Sequence, residues 1–403
     1  MRELTMSSNR PASMRAAVLL VYAAGFLQGL TLVCVPALSG ALKQSLAISD
    51  ARYGTLFLPQ VACTALAALF GGALARRVGL QTLLWLSLLA NAISQLAVTA
   101  SAHVGMDMSF AILLVGTATL GLGFGLSSAP LNSYPPAFFP QHRDASVVAL
   151  HTALGLGLAA GPLLAGPFLM MGNWAQFSLW LGGISIALAV VAIVVTLPES
   201  ESGAERHAAH TGSSVLASPA LWLFVAIAML YAFAEGTFSN WAVIYLHEDR
   251  ALSAAVAASA LSVFWGALAV GRLLISALVL RVPPARVWLA LPVLMAIAFL
   301  MLPLARSPAT GIGLFAVAGF ACSAFFPLTI GRVSERFPAE TALVSSVMVA
   351  ALMIGVGLGT FLVAPLRAML SLPQLYRLSA LYPIAVVVLA YLALRIHGAR
   401  PSR

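Results

Sequence analysis

Residues 221–245 read LWLFVAIAMLYAFAEGTFSNWAVIY, and residues 254–280 read AAVAASALSVFWGALAVGRLLISALVL. A helix of about twenty apolar residues crosses the roughly 30 Å hydrocarbon core of a bilayer, and both runs exceed that length. The short polar link His247-Glu248-Asp249-Arg250 separates them. Their apolar residues are continuous rather than alternating, which excludes barrel strands. Two full charges stand inside: Glu235 near the middle of the first run and Arg272 in the second. Arg272 lies about 12–14 Å from the nearer end at 1.5 Å per residue. A charge in hydrocarbon costs on the order of 2.5–3.5 kcal/mol. Two readings are open: a coupling or substrate site, or a structural ion pair that locks two helices together.

The same apolar pattern fills the chain. Of 403 residues, 61% are hydrophobic and 8% charged, where a soluble domain carries about 25% charged residues. The mean hydropathy is +0.99. Twelve spans are predicted, at 15–38, 53–75, 80–101, 109–133, 145–170, 174–197, 219–246, 254–281, 286–305, 310–332, 340–366 and 374–396. An even number puts both termini on one side. Fourteen basic residues fall on the terminal side and six on the other, so both termini are expected in the cytoplasm, with the protein in the cell inner (plasma) membrane. The lone lysine, Lys43, is one of the six.

The net charge of +9 is dispersed through short loops and forms no stripe, which argues against nucleic acid. Cys34, Cys63 and Cys322 fall inside apolar spans and show neither a disulfide framework nor metal spacing. No phosphate loop and no Ser/His/Asp arrangement is visible. The expectation is therefore a protein that is not an enzyme, takes no cofactor and no metal, and works as a monomer. Its partners are a small-molecule solute, protons and the lipid bilayer.

The polar stretch Pro198 to Ser218 divides the spans six and six. It reads as a cytoplasmic linker, 198–218, between an N-terminal half, 1–197, and a C-terminal half, 219–403. The halves echo each other. Phe139-Pro140 recurs as Phe337-Pro338 after 198 residues, and Gly155-x-Gly157 recurs as Gly355-x-Gly357 after 200. Parallel six-span repeats are the layout of transporters whose halves rock about a midplane site.

The loop Gly72-Ala73-Leu74-Ala75-Arg76-Arg77-Val78-Gly79 resembles the signature that major facilitator superfamily transporters carry between spans two and three. That family's fold is all-α, with twelve transmembrane helices in two pseudo-symmetric halves. The resemblance makes Gly72, Arg76, Arg77 and Gly79 a loop that helps set the inward and outward states. It departs in detail: Arg76 stands where the family has an acid, and the matching loop of the second half has Pro283-Pro284 at the glycine. Within the superfamily the chain is similar to the fucose permease and sugar–proton symporter branch. Three stretches carry this likeness: Gly123 to Asn132 with His151, Gly155 and Gly157; Glu235-Gly236 with Trp241, Tyr245 and Gly271-Arg272; and Gly319 to Pro327. Fucose permease has acids in spans one and four, where this chain has Thr31-Leu32 and Ser128. Glu235 is then the one carboxylate at membrane depth, since Glu340 stands at the very edge of its span.

A desolvated carboxylate holds a proton more readily, so Glu235 is the candidate for proton coupling, with Arg272 as its charge partner. His151, about two turns into span five, is a second titratable candidate; its bland reading is a neutral histidine bonded to a neighbouring helix. Gln28, Thr31, Asn132, Tyr231, Ser239, Asn240, Trp241 and Trp265 form a polar and aromatic set that suits a hydroxylated solute. Each taken alone also fits interhelical bonding. Trp265 and Arg272 are seven apart and share a helix face. The expected function is proton-coupled symport of a small polar, sugar-like solute by alternating access. The run from Gly157 to Gly166 also resembles the fifth-span motif of the family's exporters, so proton-coupled efflux of drugs or mixed-polarity solutes is the alternative. A non-transporting solute sensor is the third.

Overall fold

The computed structural model describes residues 12–198, 213–305 and 307–398. Among them there is no strand. Twelve long helices follow one another: α1 Ala12–Leu46, α2 Phe57–Val78, α3 Leu80–Ser101, α4 Met106–Phe138, α5 Arg143–Met170, α6 Trp174–Val194, α7 Pro219–Asn240, α8 Ala254–Leu278, α9 Pro284–Met301, α10 Pro308–Cys322, α11 Thr341–Leu366 and α12 Leu381–Gly398. Eleven described segments are long and apolar enough to span a bilayer. The remaining predicted span corresponds to α2, 22 residues with Arg76 and Arg77 in its last turn. Residues 199–212, most of the predicted linker, lie outside the described residues; Ser213–Leu216 form a helical turn before α7.

Four predicted spans are interrupted: span seven turns at Trp241 and continues as short helical turns over 242–249, and three others break three or four residues before a proline. Span two opens with Asp50–Thr55 and restarts at Phe57, ahead of Pro59. Span ten stops at Cys322 and resumes as Phe325–Arg336, around Pro327. Span twelve opens with Leu372–Ser379 and resumes at Leu381, ahead of Pro383. Proline lacks an N–H and its ring excludes the carbonyl four residues earlier.

The first six helices pack on one another, as do the last six, in matching pairs: α1 on α5 and α7 on α11, α2 on α4 and α8 on α10. The two sets meet along α5 with α8 and α2 with α11. Close backbone contacts fix the repeat register. A Cβ on Gly29 would lie 2.1 Å from the Leu154 carbonyl, and one on Gly236 would lie 2.3 Å from the Val356 carbonyl. Gly157 meets Phe26 as Gly359 meets Phe233. The partner of Gly157 is thus Gly359, two residues beyond the Gly357 that the sequence pattern suggested. Gly357 instead faces Val61 of α2. The shift from α1 to α7 is 207 residues, and it sets Gln28 and Glu235 at equivalent places.

Candidate functional site

The site forms where α10 is interrupted. Pro327 cannot donate to the Ser323 carbonyl, so the turn at Ser323 and Ala324 leaves backbone oxygens for other helices. Tyr231 of α7 takes one: its hydroxyl lies 2.9 Å from the Cys322 carbonyl. Arg272 of α8 takes the next, donating from Nε to the Ser323 carbonyl at 3.0 Å. One turn along α7, the Glu235 carboxyl also meets the Tyr231 hydroxyl. Three helices therefore converge on one break.

The proton count at Tyr231 is restrictive. A phenol carries one proton, and a carbonyl can only accept. The hydroxyl is placed to donate to either oxygen; when it donates to Cys322, a protonated Glu235 donates to the phenol oxygen in turn. With Glu235 ionised, the phenol turns to the carboxylate and the Cys322 carbonyl loses its partner. The protonation of Glu235 is thereby tied to the bonding of the α10 break.

Arg272 is exposed, while Glu235 is half-buried. The Arg272 charge acts on both Glu235 and His151. Among the described residues no ion pair joins Glu235 to Arg272; the ion pairs found lie elsewhere. On the facing half, the exposed His151 and Asn132 pair with each other, Nε2 to Oδ1, at 3.3 Å. Asn132 also donates to the Ser128 carbonyl at 2.8 Å.

The remaining predicted residues divide by location. Gln28 is buried between α1 and α3, accepting from Asn91 Nδ2 at 3.0 Å. Buried Thr31 donates to the Gln28 carbonyl at 3.1 Å. Asn240 Nδ2 donates to Thr360 Oγ1 at 2.8 Å, and Trp241 Nε1 donates to the Thr360 carbonyl at 3.0 Å. Both are buried at the end away from the termini, so the structure does not bring them to Arg272. Trp265 packs edge-on against Phe264 at 5.0 Å, and its buried Nε1 finds no partner. Ser239 donates to the Glu235 carbonyl at 2.8 Å. The stretch read as a loop from the sequence is helical up to Val78: Arg76 and Arg77 are exposed in the last turn of α2. Gly79 has φ +83, a left-handed turn that makes the sharp joint to α3. Gly72 lies within α2.

A second cluster was not singled out from the sequence. Lys43 Nζ lies 2.5 Å from Asp50 Oδ1 and 2.5 Å from Glu248 Oε1, and Arg367 Nε lies 2.7 Å from Asp50 Oδ2. Beside it, Tyr53 donates to the Asn240 carbonyl at 2.8 Å and packs on Trp241 at 5.2 Å. Lys43, Asp50 and Tyr53 belong to the first set of helices; Asn240, Trp241, Glu248 and Arg367 belong to the second. These links sit at the end away from the termini and close the bundle there. In sequence they are ordinary loop charges, since the pairing joins residues 205 and 317 positions apart.

Two six-helix sets closed together at one end, with Arg272 and His151 on facing helices, define a polytopic membrane transporter rather than an enzyme. The profile of the Major Facilitator Superfamily matches residues 20–360, and the chain belongs to that family. No curated protein sequence matches it. Among solved structures, it is similar to a bacterial homologue of the human lysosomal transporter Spinster in an inward-facing, occupied conformation. The identity is 17%, with 96% of this chain and 98% of that one covered, and the TM-score is 0.77. It is similar also to a D-xylose–proton symporter, at 16% identity, 94% and 98% coverage and TM-score 0.76. The nucleoside transporter NupG follows at 14% identity, 95% and 100% coverage and TM-score 0.73. At these identities the likeness is one of fold.

Proposed function

We propose that the protein is a secondary active transporter that moves a small polar organic solute together with protons by alternating access. One observation carries the reading: Glu235, the carboxyl in the C-terminal half of α7, shares the Tyr231 hydroxyl with the α10 break. Coupling requires a group that binds a proton and whose bonding differs between states of the bundle; the hydroxyl shared with the α10 break supports Glu235 in that role. The solute site lies between Arg272 and Trp265 on one half and Asn132 and His151 on the other.

The two halves, 1–197 and 219–403, are the moving bodies, joined by the linker 198–218. The basic-residue asymmetry supports the inner membrane with both termini in the cytoplasm. On that orientation the closed end carrying Lys43 and Asp50 is the outer one, and the site opens inward. The D-xylose–proton symporter among similar folds supports symport.

The test begins with a melting-temperature screen of purified protein, since a ligand that binds the folded state raises its stability. Solutes that bind are then followed in proteoliposomes under an imposed pH gradient. Symport predicts accumulation on the side toward which protons move. Movement against the proton flow would make it an exporter, and binding with no flux in either direction would make it a sensor.

A further inference from the structure

We infer that the solute carries a carboxylate, held by Arg272; the inference rests on the solute site proposed above. Arg272 is a guanidinium with five N–H donors. One, Nε–H, is used on the Ser323 carbonyl. Its other nitrogens meet no acceptor among the described residues, and the side chain is exposed rather than sealed in the bundle. The nearest acid by function, Glu235, is not its ion-pair partner: the described ion pairs all lie in the Lys43, Asp50, Glu248 and Arg367 cluster.

The proton count at Tyr231 sharpens the charge balance. In the arrangement where the phenol donates to Cys322 and a protonated Glu235 donates to the phenol, the acid is neutral. The site then holds one cation with no resident anion, facing His151 across the halves. A permanent cation at membrane depth is costly without a counter-charge. A guanidinium prefers a planar two-oxygen anion, which it grips with parallel N–H bonds. A solute carboxylate supplies that group.

The neighbouring polar atoms describe the rest of the solute. Ser323 Oγ is fully buried beside the carbonyl that Arg272 holds, and it has no hydrogen-bond partner. Trp265 Nε1, two helical turns from Arg272 on the same face of α8, also has none. Donors left unpaired in a polar site are satisfied by solute or water. A hydroxylated carboxylate, such as a sugar acid, fits this pattern better than a neutral sugar or an aliphatic acid.

The experiment compares matched pairs on the purified full-length protein: glucuronate with glucose, galacturonate with galactose, and glycerate with glycerol. The acid of a pair should raise the melting temperature by several degrees, and its neutral mate should not. In Arg272→Gln the shift should vanish, and in Arg272→Lys it should fall but persist, because a lysine keeps the charge and loses the fork. Equal shifts from acid and neutral mates, or no shift from any carboxylate, would overturn the inference. So would stabilisation by glucose 6-phosphate alone. The paired comparison needs only the wild-type protein, so a poorly folding variant leaves it decisive. Binding of acids without pH-driven flux would instead overturn proton-coupled transport and leave the carboxylate site standing.

Discussion

The Tyr231 hydroxyl faces two oxygens and owns a single proton. On the proposed mechanism this gives the residue a role distinct from Glu235: it conveys the state of the carboxyl to the break in α10. Tyr231→Phe removes the conveyor and keeps the ring packed against Phe325, whose centroid lies 5.0 Å away. A hydrogen bond to a charged group is worth about 1.5–3 kcal/mol. The variant should therefore bind solute nearly as before, while its pH-driven accumulation falls about tenfold or more. Uptake assays at matched internal pH measure both quantities. Glu235 and Arg272 were legible as residues from their depth alone. Their lack of an ion pair was not, because side-chain reach depends on where α10 breaks. Nor was the equivalence of Glu235 with Gln28, since the glycine pattern in the sequence sits two residues off the packed register.

At the scale of the helices, hydropathy gave boundaries well where the apolar run is continuous and ends at a turn. The predicted span 80–101 coincides with α3. It failed at interruptions. Pro36 and Pro292 lie within continuous helices, whereas Pro327 marks a break. Composition does not distinguish them; the difference is whether neighbouring helices supply partners for the freed carbonyls, as Tyr231 and Arg272 do. Helix contacts depend in turn on small residues. A Cβ on Gly319 of α10 would sit 2.0 Å from the Phe264 carbonyl of α8, and one on Gly121 of α4 would sit 2.1 Å from the Gln60 carbonyl of α2. These oxygens are backbone and cannot step aside, so helices that carry Arg272 and the break would be pushed apart. Gly319→Ala should destabilise the protein by about 1–3 kcal/mol, the usual cost of overpacking. Gly313→Ala on the same helix meets nothing within 4 Å and should leave the melting temperature unchanged.

Across the whole molecule, the halves are tied at one end by charges and left with exposed arginines at the other. Lys43 is 8% exposed in its ion pairs and Asp50 20%, burial enough for the pairs to resist solvent screening. Asp50 accepts from both Lys43 and Arg367 and so joins the two halves by itself. Asp50→Asn removes the anion from both contacts and should favour opening of this end. A cysteine placed at Ala364, buried opposite Gly54, reports that opening. In a background without Cys34, Cys63 and Cys322, its labelling by a membrane-impermeant maleimide should rise at least tenfold in Asp50→Asn. An unchanged rate would mean that apolar packing around Tyr53 and Trp241 holds the end shut unaided.

The account rests most heavily on Glu235 as the carrier of the coupled proton. Glu235→Gln keeps the shape of the side chain and its capacity to donate to Tyr231, and it removes titration. Reconstituted in proteoliposomes, the variant should lose uphill accumulation driven by a pH step. It should retain counterflow exchange of solute, which needs no net proton release. If Glu235→Gln still concentrates solute against its gradient when the pH step is applied, Glu235 is a structural partner of the α10 break and the proton travels elsewhere.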